Sequence, residues 1–138
     1  MSKSPSRRTT PKTPALPADV IAAVRAAADK KAEQLTVLDL RKAAGFTDFF
    51  VIATGANARQ IRAIAEAVED ALAKLKAKPS HTEGYARTEW ILLDYFDFVV
   101  HVFSAESRAF YGLERLWGSA TAIDLTSILE PVAAARRA

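Results

Sequence analysis

A chain of 138 residues, 50% hydrophobic and 25% charged, is long enough for one domain with a real core and too short for two. It has no cysteine, which excludes disulfides and thiolate chemistry and fits a reducing compartment; no apolar run approaches the roughly 18 residues that span a bilayer. The net charge of +3 resides at the ends: Lys3, Arg7, Arg8 and Lys12 precede Ala18, Arg136 and Arg137 are offset only by Glu130, and the stretch from Ala18 to Asp124 keeps 13 basic against 15 acidic residues. A faintly acidic body disfavours direct nucleic-acid binding by the core.

Residues 1–17 carry Pro5, Pro11, Pro14 and Pro17 among Ser, Thr and cations, and read as a disordered tail. The tail has no apolar stretch of a secretory signal, and its prolines argue against an organellar transit helix. From Ala18 to about Gln34 the spacing of Val20, Ile21, Val24, Ala27 and Ala28 predicts a helix with Pro17 at its start. Two strands are predicted next, a short one over Val37–Leu40 and a stronger one over Asp48–Ala53, whose unbroken apolar run implies burial on both faces. A long helix follows, capped by Asn57 and ended by Pro79, with Ile61, Ile64, Ala65, Val68, Leu72 and Leu75 along one side. A weak polar strand between Pro79 and Tyr85 belongs at an edge. Strands over Trp90–Leu93 and Phe98–Phe103 and a helix over Ala105–Trp117 complete the body, and the segment after Asp124 is expected to be loosely held. The expected fold is a single α/β domain, a mixed five-stranded sheet flanked by helices, over residues 18–124.

Three constellations invite a chemical reading. The turn Thr54-Gly55-Ala56-Asn57 runs from a strand into a helix N-terminus, with Arg59 and Arg62 nearby, and is either an anion site or a tight capped turn. It lacks both the Rossmann and the P-loop glycine spacing, and the capped turn is favoured. Asp94 and Asp97 suggest a metal-binding pair. They stand three apart across a turn, where paired metal aspartates on one strand stand two apart, and Asp beside a turn has ordinary local reasons. His101 shares a strand face with Val99 and Phe103. Without a nucleophile partner, or metal spacing to His81, it reads as a structural or contact residue before a general base. The last helix places Glu106, Arg108, Tyr111, Glu114 and Arg115 opposite Phe110, Leu113, Leu116 and Trp117, either as plain core packing or as a protein-binding face.

The blocks T-D-F-F-V-I-A-T-G (Thr47–Gly55), A-N-A-R-Q-I-R-A-I-A (Ala56–Ala65), E-G (Glu83-Gly84), W-I-L-L-D-Y (Trp90–Tyr95), D-F-V-V-H-V-F (Asp97–Phe103) and E-S-R-A-F-Y-G-L-E-R-L-W (Glu106–Trp117) occur in order over roughly Val20 to Trp117. Together they resemble the ribosomal silencing factor family, also called RsfS or Iojap-like. The resemblance implies a fold related to nucleotidyltransferases without enzymatic activity, cofactor or metal. It implies binding to the large ribosomal subunit through ribosomal protein L-fourteen, blocking the small subunit from joining and repressing translation when nutrients are scarce. A bacterial cytoplasmic setting is expected before an organellar one, with a homodimer possible when the protein is free. The alternatives are a large-subunit assembly factor at the same site and a metal-dependent nucleotidyltransferase. Asn57 stands where Ser is common in the family and keeps the cap; Phe96 stands where Gly is common, at a position where a positive φ would be strained. The expected partner-binding residues are Trp90, Asp94, Tyr95, Phe96, Asp97, His101, Glu106 and Arg108.

Overall fold

The structure is a computed structural model that describes residues 16–43 and 45–137; the tail expected over residues 1–17 lies outside it up to residue 15. Helix α1 spans Ala18–Asp29 and turns its Val20, Ala23, Val24, Ala27 and Ala28 inward. It stops earlier than its apolar spacing predicts. Lys30 and Ala32 both donate to the Ala27 carbonyl, and Lys31 takes φ +63°, a left-handed stop built without glycine. The residues released extend strand β1 to Glu33–Asp39. Strand β2 (Phe49–Gly55) is buried along its whole length, as its unbroken apolar run requires.

Helix α2 (Ala58–Ala73) begins as predicted, with the Asn57 side chain accepting from the Gln60 amide at 2.8 Å. Strand β3 (His81–Glu83) is exposed and lies at one edge. Strands β4 (Trp90–Asp94) and β5 (Phe98–Ser104) form the central hairpin. The predicted last helix is two pieces, α3 (Ala105–Tyr111) and α4 (Leu113–Leu116), hinged at Gly112 with φ +56°. It is the backbone twist that calls for glycine there, since the nearest neighbour of an added Cβ would be the movable Arg115 guanidinium.

The mixed α/β sheet has six strands in the order β3-β4-β5-β2-β1-β6, not five. The added strand β6 is only Thr121–Ala122, paired to Leu38 and Asp39 at the β1 edge. Two residues carry no alternation, so the strand exists only because an edge is there to receive it. Only β2 and β5 run parallel. The segment beyond Asp124, expected to be loosely held, forms helix α5 (Thr126–Arg137). Its Ile128 is 2% exposed, and its backbone accepts from Arg25 of α1.

Period-two alternation sorts the sheet into two faces. On the first, Val37, Phe49, Val51, Ala53, Ile91, Leu93, Phe98, Val100 and Val102 meet the apolar stripes of α1 and α2 and the start of α5. On the second, Leu38, Leu40, Phe50, Ile52, Val99 and Phe103 form a separate, smaller cluster with Trp90, Leu92, Leu113 and Trp117.

Candidate functional site

Among the described residues the helices over the second face are the short α3 and α4, with Ala43, Trp117 and Ala120 packed beside them, and one side chain holds the helices down. Arg108 projects from α3 into the sheet and is 7% exposed. It donates to the Thr54 hydroxyl of β2 at 2.8 Å and to the Thr36 hydroxyl of β1 at 3.0 Å. Its Nε and Nη2 grip both carboxylate oxygens of Glu114, across the Gly112 hinge, at 2.9 Å each. This hydrogen-bonded fork holds the Glu114 carboxyl below its ordinary pKa. A buried guanidinium needs such a full set of acceptors. Arg108, expected at the partner surface, is therefore turned inward and fastens the helix to the sheet.

Beyond the reach of these helices, the face opens into a pocket of about 330 Å³. Phe50 and His101 lie at its base, Trp90 at its side, and Phe46, Phe96 and Asp94 at its mouth. The register explains the grouping: Phe50 pairs with Val99, and Leu92 pairs with His101, so neighbouring strands send same-face side chains into one row.

His101 is 3% exposed. Its Nδ1 accepts the Trp90 indole N–H at 3.0 Å, which places the ring proton on Nε2. That atom has no hydrogen-bond partner among the described residues. The ring meets Phe50 edge-on at 4.5 Å and lies parallel to Phe103 at 5.9 Å. Burial pushes its pKa down to about 3, so the base of the pocket is uncharged near neutrality.

Three residues, Tyr95, Phe96 and Asp97, join β4 to β5; the Tyr95 amide donates to the Phe98 carbonyl, which leaves Phe96 and Asp97 as a two-residue loop. Asp94 uses Oδ1 to accept the Phe96 amide at 2.8 Å, the local role open to an Asp at a turn. Asp97 is exposed beside the pocket. Tyr95 goes the other way: it stacks on Phe98 at 5.0 Å and packs into the first-face core, its buried hydroxyl without a hydrogen-bond partner among the described residues and its pKa raised by burial. Glu106 is also remote, beside a cleft where β2 and β5 end. There the side chains of Asn57 and Ser104 cap helix amides, Gln60 Oε1 accepts the Ala56 amide at 2.6 Å, and Arg62 turns away to the Tyr85 carbonyl. The Thr54-Gly55 turn is thus the capped turn. A Cβ on Gly55 would lie 2.7 Å from Ile61 Cγ1, so glycine lets the helix approach the strand.

The structure brings together Trp90, Asp94, Phe96 and His101, sets Asp97 beside them, and separates Tyr95, Glu106 and Arg108. It adds Phe46, Phe50 and Thr47. Continuing the alternation from Trp90 to Leu92 and from Phe50 to Ile52 would have found the apolar row. The Thr47 hydroxyl donates to the Phe96 carbonyl at 3.1 Å, a link between distant residues with no local signal. Among the described residues no cluster of three or more His, Cys, Asp or Glu is placed to hold a metal, and no helix is long and apolar enough to cross a membrane.

The family described as "Ribosomal silencing factor during starvation" matches residues 13–138. The chain is 38% identical to ribosomal silencing factor RsfS of Halalkalibacterium halodurans, over 78% of this chain and 92% of that protein. It is 37% identical to the RsfS of Bacillus subtilis, over 75% and 87%. The chloroplastic Iojap protein of Zea mays is 37% identical over 76% of this chain and 46% of its own length. Among solved structures, a protein from Chromobacterium violaceum superposes with a TM-score of 0.71 at 33% identity, covering 72% of this chain and 83% of its own. A Bacillus halodurans crystal structure does so at 0.65 and 39% identity, covering 71% and 91%.

Proposed function

This chain belongs to the ribosomal silencing factor family, and on that premise we propose that it binds the large ribosomal subunit through ribosomal protein L-fourteen, using the open second face of its sheet. Bound there, it occupies the surface on which the small subunit would dock and represses translation by occlusion when nutrients are limiting. The task needs affinity for one surface and no chemistry.

The observation that carries this reading is the pocket itself. It joins exposed aromatic area to an acidic rim, with Asp94 lining it, Asp97 and Asp48 exposed beside it, and no lysine or arginine among its lining residues. Ribosomal proteins are typically basic, so such a rim attracts them and sets orientation, while Trp90 and Phe96 supply contact area. Of the residues expected to bind, Trp90, Asp94, Phe96, Asp97 and His101 form this surface. Arg108 supports it from below. When the protein is free, the same face would serve to pair two copies. Bacterial relatives dominate the similarities and favour a cytoplasmic setting over an organellar one.

Sucrose-gradient sedimentation tests the proposal. The wild-type protein is expected to travel with free large subunits and to suppress their joining to small ones. Asp97→Lys, at an exposed turn position, is expected to fold normally and lose about tenfold or more in affinity. Undiminished co-sedimentation of that variant would remove the hairpin turn from the interface.

A further inference from the structure

Phe96 combines two properties that a side chain of its kind rarely shows together. Its φ is +74°, in the left-handed region that disfavours a bulky residue. Its ring is 75% exposed at the mouth of the aromatic pocket. It holds the first position of a two-residue hairpin loop, the place glycine normally fills when only that residue is left-handed. The Asp97 amide donates to the Tyr95 carbonyl at 2.9 Å, closing a γ-turn of the rarer, strained sign around Phe96.

The surrounding structure leaves the turn no alternative. The Phe96 amide is held by Asp94, its carbonyl by the Thr47 hydroxyl, and the next carbonyl, of Asp97, by the Asp48 amide. Thr47 is itself buried. Backbone strain persists where neighbours over-determine it, and it gathers at sites with a task. An exposed phenylalanine contributes nothing to the core that would offset such strain.

We propose that Phe96 is the specificity-determining anchor of the docking face: the strained turn holds its ring at the pocket that Phe46 also lines, and the two close over one apolar side chain that the partner presents between lysines or arginines. This rests on the reading of the face as the L-fourteen site. The commitment to a basic protein surface follows from the acidic edge: Asp94 lines the pocket, Asp48 and Asp97 are exposed next to its lining residues Thr47 and Phe96, and its base is uncharged. Cations can sit on the rim, and only an apolar group suits the space between the rings.

Two variants separate display from strain. Phe96→Ala keeps the strained backbone and removes the ring; Phe96→Gly removes both. Binding to purified L-fourteen is expected to weaken by about tenfold or more in each. The thermal midpoint of Phe96→Gly is expected to lie a few degrees above that of Phe96→Ala, so the glycine variant becomes the better-folded protein and the poorer binder. Wild-type affinity in either variant would overturn the anchor while leaving the docking face in place, as would loss of self-association alone. A glycine variant melting below the alanine one would overturn the strain argument. Failure of the wild-type protein to bind L-fourteen would overturn the anchor and the docking reading together.

Discussion

The two faces of this sheet are built from the same strands and do opposite work. The first is mostly aliphatic and sealed: Val51, Ala53, Ile91 and Leu93 of the sheet and Ile64 and Val68 of the helix over them are at 0% exposure. The second is aromatic and half covered, with Phe46 at 59% and Phe96 at 75% exposure. A sealed aliphatic layer supplies stability in proportion to area removed from water. On the proposed function, an open aromatic layer holds area in reserve for a partner, and its rings lose little conformational freedom on contact. If the second face is the docking surface, stability and binding lie in separate layers and should respond separately to mutation.

The sharpest division comes from Ile64→Ala. It opens a cavity in the sealed layer and is expected to destabilise the fold by about 3 kcal/mol, measured by urea unfolding, with unchanged affinity per folded molecule. An equal loss of affinity would break the division. Arg108→Ala tests the seam between the layers. Removing the guanidinium strands Glu114 and two threonine hydroxyls and is expected to cost about 2 kcal/mol. It should also weaken partner binding, because Leu113, a pocket wall, rides on the fastened helix. Arg108→Lys is not expected to rescue either property, since an ammonium cannot reproduce the two-pronged grip on Glu114 together with both threonines.

A further effect is read against pH. Burial lowers the His101 pKa from 6.5 to about 3. Between those values the unfolded chain binds more protons than the folded one. The contribution is fully present above about pH 6.5 and is lost as pH falls toward 3, by up to about 1.4 kcal/mol per pH unit. Urea midpoints taken from pH 7.5 to 5 should decline less steeply in His101→Leu than in the wild-type protein. Parallel declines would mean that His101 takes up its proton without unfolding.

Much of this was legible in the chain. The unbroken run of β2, the Asn57 cap, the β4–β5 hairpin and the polar edge strand follow from local spacing and turn chemistry. The strain at Phe96 follows from a bulky residue placed where glycine is common. Tyr95 was also within reach, because alternation carried one residue past Asp94 sets it beside Leu93 on the sealed face. Other features had no local signal. The end of α1 uses a lysine in the left-handed region, β6 is two residues long, and Ile128 is buried because α1 lies across from it.

The sequence by itself determined the family, one α/β body with a mixed sheet, and an acidic aromatic hairpin as the segment to watch. These depend on periodicity, composition and ordered blocks, which are properties of neighbours along the chain. Only the tertiary structure decided which of the hairpin's side chains face outward, that Arg108 is buried and fastens a helix to the sheet, and that Phe46 and Phe96 line one pocket. Those outcomes depend on which strands lie side by side and what packs over them, and a cation such as Arg108 can turn inward only where distant residues converge to receive it.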